Sequence, residues 1–303
     1  METRRRAIDS NLIQTLSSLG CRILKDEPLS EHCSFKIGGP VDFFVEIPNE
    51  QALLIFLNNV KNKKNVYFIL GSGTNVLFPD EGYRGTIISL TGTFREISVF
   101  NEEILSGSGA LMSDVLNTAI KNNLTGLECT AGIPGTVGGA VFGNAGSKNK
   151  WIGSFVKNVE VYKNLKKESI NKEKIAFSYR KSGLGNCIIT SVSFFLKKDI
   201  ENDNLEMICE SMKKRLRTQP LIMPSAGSIF KNLDGCSVGE LIEKLGLKGI
   251  RAGGAQISEV HGNFIVNTGG ASAKDVVSLI KLVKAKVKEE FNINLETEIR
   301  IIK

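Results

Sequence analysis

The pattern of hydrophobic and polar positions along the chain predicts a mixture of helices and strands. Apolar residues recur at helical spacing between Asn49 and Val60, and Asn49 is of a residue type that caps helices. A short apolar run at 66–70 predicts a buried strand. The same reasoning predicts a helix at 113–122 and further strands at 86–90, 97–100, 156–162 and 188–196.

A change in pattern near residue 218 predicts a domain boundary. The charged helical pattern at 201–218 runs into Pro220 and Pro224, which predicts that the helix ends and that an extended linker follows. The chain has 303 residues and is 42% hydrophobic, which suits two domains of roughly 100–200 residues each. We therefore predict an α+β protein with domains at 1–218 and 219–303.

Two helices are predicted in the second domain. Ser237 is predicted to cap a short helix that ends at Leu245. Ser272 and Asp275 stand in capping-box order at the start of a longer helix. This helix carries an apolar stripe that we expect to pack in the core, formed by Val276, Ile280, Val283, Val287 and Phe291.

The net charge of the chain indicates which chemical classes of partner it favours. A formal charge of +7 favours anionic partners, whether nucleic acid, membrane headgroups or phosphorylated small molecules. The lysine-rich stretches at 163–174 and 213–217 lack interleaved aromatic residues, which favours a solvated surface over a nucleic-acid site. We therefore expect no nucleic-acid partner.

Cysteine and histidine usage indicates a reducing compartment and no metal. The six cysteines are scattered without a Cys-x-x-Cys pair, and the two histidines are His32 and His261. The basic segment 1–11 is not followed by an apolar region, and no run approaches the ~18 apolar residues of a membrane span. We expect a cytoplasmic protein with neither a metal site nor a membrane partner.

A short glycine loop at 71–75 is the first candidate ligand site. Its glycines follow a predicted strand directly, and backbone N–H groups there can approach a pyrophosphate. The loop lacks the third glycine of a dinucleotide-binding fingerprint, because Val76 stands in its place. The similar stretch 107–109 fails the same test at Met112. Taken alone, such a loop is equally consistent with a ligand site and with a plain turn.

A longer glycine loop at 126–146 is more specific. It contains seven glycines in 21 residues, so much of its backbone is bare of side chains. That arrangement suits a large flat or phosphate-bearing ligand, although tight turns at a strand crossing remain the alternative. The sequence contains no P-loop pattern, which argues against a nucleotide-hydrolysing enzyme.

The order of several motifs along the chain resembles a known family. The two glycine loops, together with the Ser-Phe-Lys-Ile-Gly-Gly-Pro stretch at 34–40, resemble the FAD-binding region of UDP-N-acetylenolpyruvoylglucosamine reductases. The resemblance continues to the C-terminus through the motifs at 179–182, 224–232, 253–258, 263–267 and 295–300.

The resemblance implies a fold and a cofactor. The expected fold is an FAD-binding domain of the vanillyl-alcohol-oxidase/PCMH type, with a two-lobed core at about 35–199 and a helix before it, followed by a C-terminal α+β substrate-binding domain. FAD is expected to bind noncovalently, because neither histidine lies in a glycine loop. The short stretch 180–228 resembles the compact subclass that lacks an inserted tyrosine-bearing loop. The implied FAD contacts are Gly71, Ser72, Gly73, Thr74, Asn75, Thr130, Ala131, Gly132, Ile133, Pro134, Gly135, Gly138, Gly139, Ala140 and Asn144.

The resemblance also implies a reaction, in which NADPH reduces FAD and a hydride then passes to UDP-N-acetylglucosamine enolpyruvate to yield UDP-N-acetylmuramate. Arg180 is the expected partner of the substrate carboxylate and Ser228 the expected proton donor. Alternation at 295–301 predicts a strand with Glu296, Glu298 and Arg300 on one face, and the resemblance selects Glu298 as the catalytic carboxyl group. The further substrate contacts implied are Tyr179, Lys231, Asn232 and Gln256.

Two other functions remain open from the residues alone. A relative with the same flavin domain that oxidises an alcohol or a hydroxy acid is the enzymatic alternative. A basic nucleic-acid-binding or regulatory module is the other, and it predicts no bound flavin and strongly salt-dependent binding. The family resemblance further implies a role in peptidoglycan synthesis, cell shape and cell division, and we expect a monomer.

Overall fold

The protein is described from a computed structural model, which covers residues 8–61, 67–147, 150–185, 187–200 and 204–303. The first residue of the strand predicted at 66–70 and the first three residues of the helix predicted at 201–218 lie outside these ranges. None of the described helices is long and apolar enough to cross a lipid bilayer.

Helices occur in both halves of the chain, and the longest is near the C-terminus. They are α1 (Ser10–Ser18), α2 (Glu50–Lys61), α3 (Met112–Lys121), α4 (Val137–Phe142), α5 (Asn204–Thr218), α6 (Val238–Lys244) and α7 (Ala273–Phe291).

Strands are more numerous than helices, and most of them are short. They are β1 (Arg22–Pro28), β2 (Pro40–Ile47), β3 (Tyr67–Ile69), β4 (Val76–Leu77), β5 (Tyr83–Leu90), β6 (Ile97–Phe100), β7 (Glu103–Gly107), β8 (Leu124–Thr125), β9 (Gly146–Ser147), β10 (Lys150–Trp151), β11 (Val156–Lys163), β12 (Lys166–Asn171), β13 (Ile188–Phe195), β14 (Lys197–Lys198), β15 (Ser225–Ser228), β16 (Arg251–Ala252), β17 (Ala255–Ile257), β18 (Phe264–Asn267) and β19 (Arg300–Ile301).

The chain divides into two compact units that are interleaved along the sequence. Unit 1 contains the described residues of 1–26, 42–72 and 84–212, and unit 2 contains 27–41, 73–83 and 213–303. Two short segments from the first third of the chain therefore belong to the unit that contains the C-terminus. The domain bounds 1–218 and 219–303 stay a prediction.

Unit 1 is built on an antiparallel five-stranded sheet with strand order β12–β11–β13–β7–β6. One face of this sheet packs with α3 and α4 in a core whose members include Val115, Val141, Val159 and Phe194, all fully buried. A second core contains residues of α1, α2, β2 and β5. A four-stranded sheet has the order β1–β2–β5–β3, in which β3 runs parallel to β5.

Unit 2 contains the four-stranded sheet β15–β18–β17–β16, in which each neighbouring pair is antiparallel. The helix α7 begins with a capping box, in which Ser272 Oγ accepts from the Asp275 N–H at 3.1 Å. Its stripe residues Val276, Ile280, Val283 and Val287 are buried, as the sequence predicted, and the fifth, Phe291, is half-buried. Near the C-terminus, β19 pairs in parallel with β4.

Most of the elements predicted from the sequence are confirmed to within a few residues. The helix at 49–60 is α2, and the Asn49 side chain accepts a hydrogen bond from the Ala52 N–H at 2.9 Å. The helix at 113–122 is α3, and the strands at 86–90, 97–100, 156–162 and 188–196 are β5, β6, β11 and β13.

Three local predictions are wrong or incomplete. The stretch after α5 is a turn and not an extended linker, because the Met223 N–H donates to Pro220 O at 3.1 Å. Ser237 occupies the N-cap position of α6, but its side chain makes no capping hydrogen bond. The strand predicted at 295–301 is interrupted, because the N–H groups of Glu298 and Ile299 both donate to Ile229 O, at 2.8 and 3.4 Å.

Candidate active site

The first glycine loop, at 71–75, takes a conformation that requires glycine. Gly73 has a φ of +63°, and a Cβ atom there would lie 2.2 Å from His32 O. The Gly71 backbone is exposed, and a Cβ atom on it would lie 2.5 Å from Thr136 Oγ1 in the second loop. The two glycine loops therefore meet at Gly71 and Thr136, within unit 1.

The second glycine loop continues into α4, and Thr136 begins this helix. The Thr136 side chain accepts from the Gly139 N–H at 3.3 Å, which satisfies one of the free donors at the helix start. The backbone of the stretch 107–109 supports the loop, because the Gly138 N–H donates to Ser108 O at 2.8 Å. A Cβ atom at Gly107 would lie 2.2 Å from Phe94 O, so the backbone of this stretch is tightly packed.

The residues present fit a large cofactor that approaches bare backbone. Gly71, Gly132, Pro134 and Gly139 are all exposed, and three of them carry no side chain. Because the two loops touch at Thr136, this exposed backbone belongs to one site. Such a cradle suits the pyrophosphate and the flat ring system of FAD.

Two predicted cofactor residues use their side chains within the protein. The Thr130 hydroxyl is buried and donates to Leu127 O at 2.6 Å. Asn144 is also buried, its amide nitrogen donates to Ser178 O at 2.8 Å, and its amide oxygen accepts from the Gly153 N–H at 3.1 Å. These contacts hold the loop in shape, and a contact of either residue with FAD stays a prediction.

Sequence reasoning missed Glu128, a buried carboxylate at the entrance of the second loop. Glu128 Oε1 accepts from the Gly126 N–H at 2.7 Å and from Thr125 Oγ1 at 3.0 Å. Burial and the nearby Glu128 carboxylate raise the pKa of Cys129 to about 11, so this thiol is neutral and inert at physiological pH. The signal that could have found Glu128 is a lone acidic residue inside a glycine-rich apolar stretch.

Arg180 lies in a tight turn next to the second loop. Ser178 and Lys181 exchange two backbone hydrogen bonds, at 2.9 and 3.1 Å, and Arg180 between them has a φ of +57°. Its guanidinium donates to Gly146 O at 3.2 Å and lies 5.3 Å from the centroid of the Tyr179 ring. Positive φ is costly for a residue with a side chain, so the surrounding contacts must hold Arg180 there.

Ser228 is the last residue of β15, and a β-bulge precedes it. Ser225 pairs with Val266 and Ser228 with Phe264, so the register shifts by one residue between them. Gly227 lies in the bulge with a φ of +74°. A bulge turns the following side chain relative to a regular strand, and here it sets the direction of Ser228.

In unit 2, Glu298 and Lys231 both lie near the C-terminal end of β15. The Glu298 N–H donates to Ile229 O at 2.8 Å, and the Lys231 N–H donates to Glu296 O at 3.0 Å. Lys231 Nζ also lies 2.8 Å from Glu296 Oε2, so the charge of Glu296 is paired. The structure thus distinguishes the two carboxylates that the sequence pattern did not rank: Glu296 is exposed, and Glu298 is half-buried.

Asn232 and Gln256 have partners inside the protein. Asn232 Oδ1 accepts from the Val238 N–H at 3.1 Å and so caps α6 in place of Ser237. Gln256 is buried, donates to Gly249 O and to Glu259 Oε1, and accepts from the Arg251 side chain. Substrate binding by Asn232 and Gln256 stays a prediction.

Comparison with known proteins identifies the family. A model described as an FAD binding domain matches residues 41–166, and one described as the C-terminal domain of UDP-N-acetylenolpyruvoylglucosamine reductase matches residues 219–302. A UDP-N-acetylenolpyruvoylglucosamine reductase of Fervidobacterium nodosum is 42% identical over 301 residues, which cover 98% of this chain and 97% of the relative. The chain belongs to the UDP-N-acetylenolpyruvoylglucosamine reductase family.

Other members of this reductase family agree along nearly the whole chain. A reductase of Clostridium novyi is 41% identical over 278 residues, which cover 90% of both chains. The crystal structure of the UDP-N-acetylenolpyruvylglucosamine reductase of Thermus caldophilus aligns with a TM-score of 0.82 at 34% identity and covers 93% of this chain and 100% of that one.

Membership of the reductase family confirms the predictions that rest on the whole chain. The α+β fold class, with an FAD-binding domain and a C-terminal reductase domain, is confirmed. The prediction that the protein is an FAD-dependent oxidoreductase is confirmed as well. The roles of Arg180, Ser228, Glu298 and the other named residues stay predictions.

Proposed function

We propose that this protein reduces UDP-N-acetylglucosamine enolpyruvate to UDP-N-acetylmuramate with NADPH and noncovalent FAD, in the synthesis of peptidoglycan precursors. The observation that carries the proposal is family membership over 98% of the chain. The cradle of exposed glycine backbone in unit 1 supports it, because it fits the cofactor that the reaction needs.

Bound FAD would supply the chemistry of hydride transfer between NADPH and the enolpyruvyl group of the substrate. The protein's own contribution begins with binding. The exposed backbone at Gly71, Gly132 and Gly139 admits the cofactor, while Thr136 and Glu128 hold the second loop, which carries Gly132 and Gly139. Because backbone hydrogen bonds already hold both loops, the binding of FAD requires little further ordering of their backbone and costs little conformational entropy.

Arg180 supplies a fixed positive charge for the substrate carboxylate. Reduction of the conjugated double bond develops negative charge on the carbon next to this carboxylate. A well-placed donor aimed at such charge is worth about 3–4 kcal/mol in other enzymes. The turn at Ser178 and Lys181, the hydrogen bond to Gly146 and the Tyr179 ring together hold the guanidinium in place.

Ser228 and Glu298 are the residues that we propose for proton transfer and for polarisation of the substrate. The Ser228 hydroxyl donates its proton to the electron-rich substrate carbon, a role for which placement matters more than acidity. Glu298 helps to polarise the substrate carboxylate. Both residues adjoin Ile229, whose carbonyl accepts the Glu298 N–H, so one short piece of backbone places the two groups. We further propose that Lys231, Tyr179, Asn232 and Gln256 contact the substrate.

Anaerobic visible spectroscopy of the flavin tests this function. NADPH should bleach the oxidised flavin spectrum, and the addition of UDP-N-acetylglucosamine enolpyruvate should restore it. If the flavin stays reduced after the substrate is added, the fold assignment survives and the substrate is wrong. Rapid flavin reduction by an alcohol or hydroxy acid would favour the oxidase alternative.

We also propose that the protein acts as a monomer in the cytoplasm, where it contributes to cell wall formation, cell shape and cell division and has neither a nucleic-acid nor a membrane partner. All six cysteines, which lie in the described part of the chain, are free thiols, and this supports a reducing compartment. Light scattering after size-exclusion chromatography tests the oligomeric state, since a mass clearly above 33.1 kDa contradicts a monomer.

A further inference from the structure

Asn263 opens the motif at 263–267, and the proposed reaction gives it no role. It lies immediately before β18, and 2% of its surface is exposed. A buried amide costs free energy unless its oxygen and nitrogen both find hydrogen-bond partners. The partners that Asn263 has found are therefore informative.

Three of the four polar groups of Asn263 meet the two residues that follow Ser228, and the fourth, its main-chain N–H, donates to His261 Nδ1 at 3.1 Å. The side-chain oxygen of Asn263 accepts from the Phe230 N–H at 2.9 Å, and its side-chain nitrogen donates to Phe230 O at 2.8 Å. The Asn263 main-chain carbonyl accepts from the Ile229 N–H at 2.9 Å. The side-chain amide thus replaces a peptide group of a neighbouring strand and clamps Phe230 on both sides.

The clamp begins where the regular sheet stops. The pairing of β15 with β18 ends at Ser228 and Phe264. Beyond this pair the carbonyl of Ile229 is taken by the Glu298 N–H at 2.8 Å. Ser228, Glu298 and Asn263 therefore all connect to the dipeptide Ile229–Phe230, and of these three only Asn263 does so through its side chain.

We propose that Asn263 is a positioning residue that holds Ser228 in place for proton transfer. This inference rests on the proposed function. Asn263 reaches Ser228 through two peptide units, and it also fixes the carbonyl to which Glu298 is attached. A shift of this dipeptide moves the Ser228 hydroxyl away from the substrate carbon, and misplacement of a catalytic group by about 1 Å can cost roughly 100-fold in rate.

Asn267, at the other end of β18, provides a matched control. It is also a buried asparagine, its nitrogen donates to Phe35 O at 3.1 Å, and its oxygen accepts from the N–H groups of Gly269 and Ala271 at 2.9 and 3.2 Å. Replacement of either asparagine by aspartate keeps the acceptor oxygen and removes the donor. The two variants therefore undergo the same chemical change at opposite ends of β18.

The experiment compares Asn263→Asp with Asn267→Asp as flavin-loaded proteins in anaerobic stopped flow. We expect flavin reduction by NADPH to stay within 2-fold of the wild-type rate in both. We expect the limiting rate of flavin reoxidation by UDP-N-acetylglucosamine enolpyruvate to fall at least 30-fold for Asn263→Asp and less than 3-fold for Asn267→Asp. The substrate concentration at half-maximal rate should change less than 3-fold, because Asn263 does not bind the substrate.

A second comparison, in the Ser228→Ala background, separates positioning from a general loss of structure. If Asn263 acts through Ser228, Asn263→Asp should slow reoxidation less than 3-fold once the Ser228 hydroxyl is absent. Slowing of 30-fold or more in that background would overturn the proposal. Equal slowing by Asn263→Asp and Asn267→Asp would do the same.

Three further outcomes are distinguishable. If Asn263→Asp does not retain flavin, Asn263→Ser and Asn267→Ser are compared in the same way, because serine keeps one polar group without introducing a charge. If the wild-type protein itself fails to reoxidise its flavin with this substrate, the proposed function is wrong and the role of Asn263 falls with it. If the wild type reacts and both serine variants match it, only the positioning role is wrong.

Discussion

At the scale of single residues, Gly227 determines where Ser228 lies. Its φ of +74° costs a residue with a side chain roughly 1–2 kcal/mol, and an added Cβ atom would meet no heavy atom of the described residues within 4 Å. Gly227→Ala should therefore lower the free energy of unfolding by roughly 1–2 kcal/mol, as measured by urea denaturation. It should also slow flavin reoxidation at least 10-fold, since the bulge relaxes.

Gly246→Ala is the control for this strain. Gly246 has a φ of +65°, with open space for a Cβ atom among the described residues, and it follows the C-cap of α6. The loss of stability should be similar, whereas the reoxidation rate should stay within 3-fold. If Gly227→Ala reacts as fast as Gly246→Ala, the bulge does not set the position of Ser228.

Ser228 itself is tested by Ser228→Ala. Removal of the hydroxyl should leave flavin reduction by NADPH nearly unchanged and slow reoxidation by the substrate by orders of magnitude, because only the second step needs the proton. Stopped-flow absorbance of the flavin measures both steps separately. Loss of neither step, or of the first alone, would remove Ser228 from this role.

At the scale of elements, the stability of α7 depends on its first turn. Ser272 Oγ accepts from the Asp275 N–H, and loss of such a cap costs about 1 kcal/mol. Ser272→Ala should lower the free energy of unfolding by about that amount in urea denaturation. Ser278→Ala is the comparison, because the exposed Ser278 hydroxyl donates within the helix to Lys274 O, and alanine is the better helix former. A larger loss for Ser278→Ala would contradict the importance of the cap.

The glycine loops show how elements depend on residues far away in sequence. The loop at 71–75 and the helix α4 were recognisable as separate sequence features, but their contact at Gly71 and Thr136 was not. Likewise, Asp80 accepts from the N–H groups of Ala273 and Lys274, at 2.6 and 3.2 Å, and so adds a second cap to α7 across 193 positions of sequence. Neither contact leaves a periodic or local signal in the chain.

At the scale of the whole molecule, stability should fall in alkaline solution. Burial raises the pKa of the Cys21 thiol from 9.0 to about 11, and burial with the Glu128 carboxylate raises that of Cys129 to about 11. Below pH 9 both states hold these protons, so the two thiols add no pH dependence. Between pH 9 and 11 the unfolded chain releases them while the native protein keeps them. The free energy of unfolding then falls by up to about 1.4 kcal/mol per pH unit for each thiol.

Two cysteine variants test this dependence. Cys129→Ala should flatten the decline of the urea midpoint between pH 9 and 11 in FAD-saturated protein, because one of the buried thiols with a raised pKa is removed. Cys209→Ala should leave the decline unchanged, since Cys209 is exposed. An identical slope in wild type and Cys129→Ala would show that the buried thiol does not control alkaline stability.

The sequence by itself determined the local structure and the family of this protein. The cap at Asn49 and the capping box at Ser272 were predictable, because each depends on groups within a few positions of one another. The two glycine loops were recognisable as separate features from their composition. The ordered motifs from residue 34 to the C-terminus were enough to identify the reductase family, its cofactor and its reaction.

Only the tertiary structure decided which polar groups meet. It assigned the cap of α6 to Asn232 instead of Ser237, interrupted the strand predicted at 295–301, and clamped Phe230 with Asn263 across 33 positions. The physical reason is that a hydrogen bond gains its value from burial. Folding determines which donors and acceptors lose their contact with water and which partners lie within reach of them.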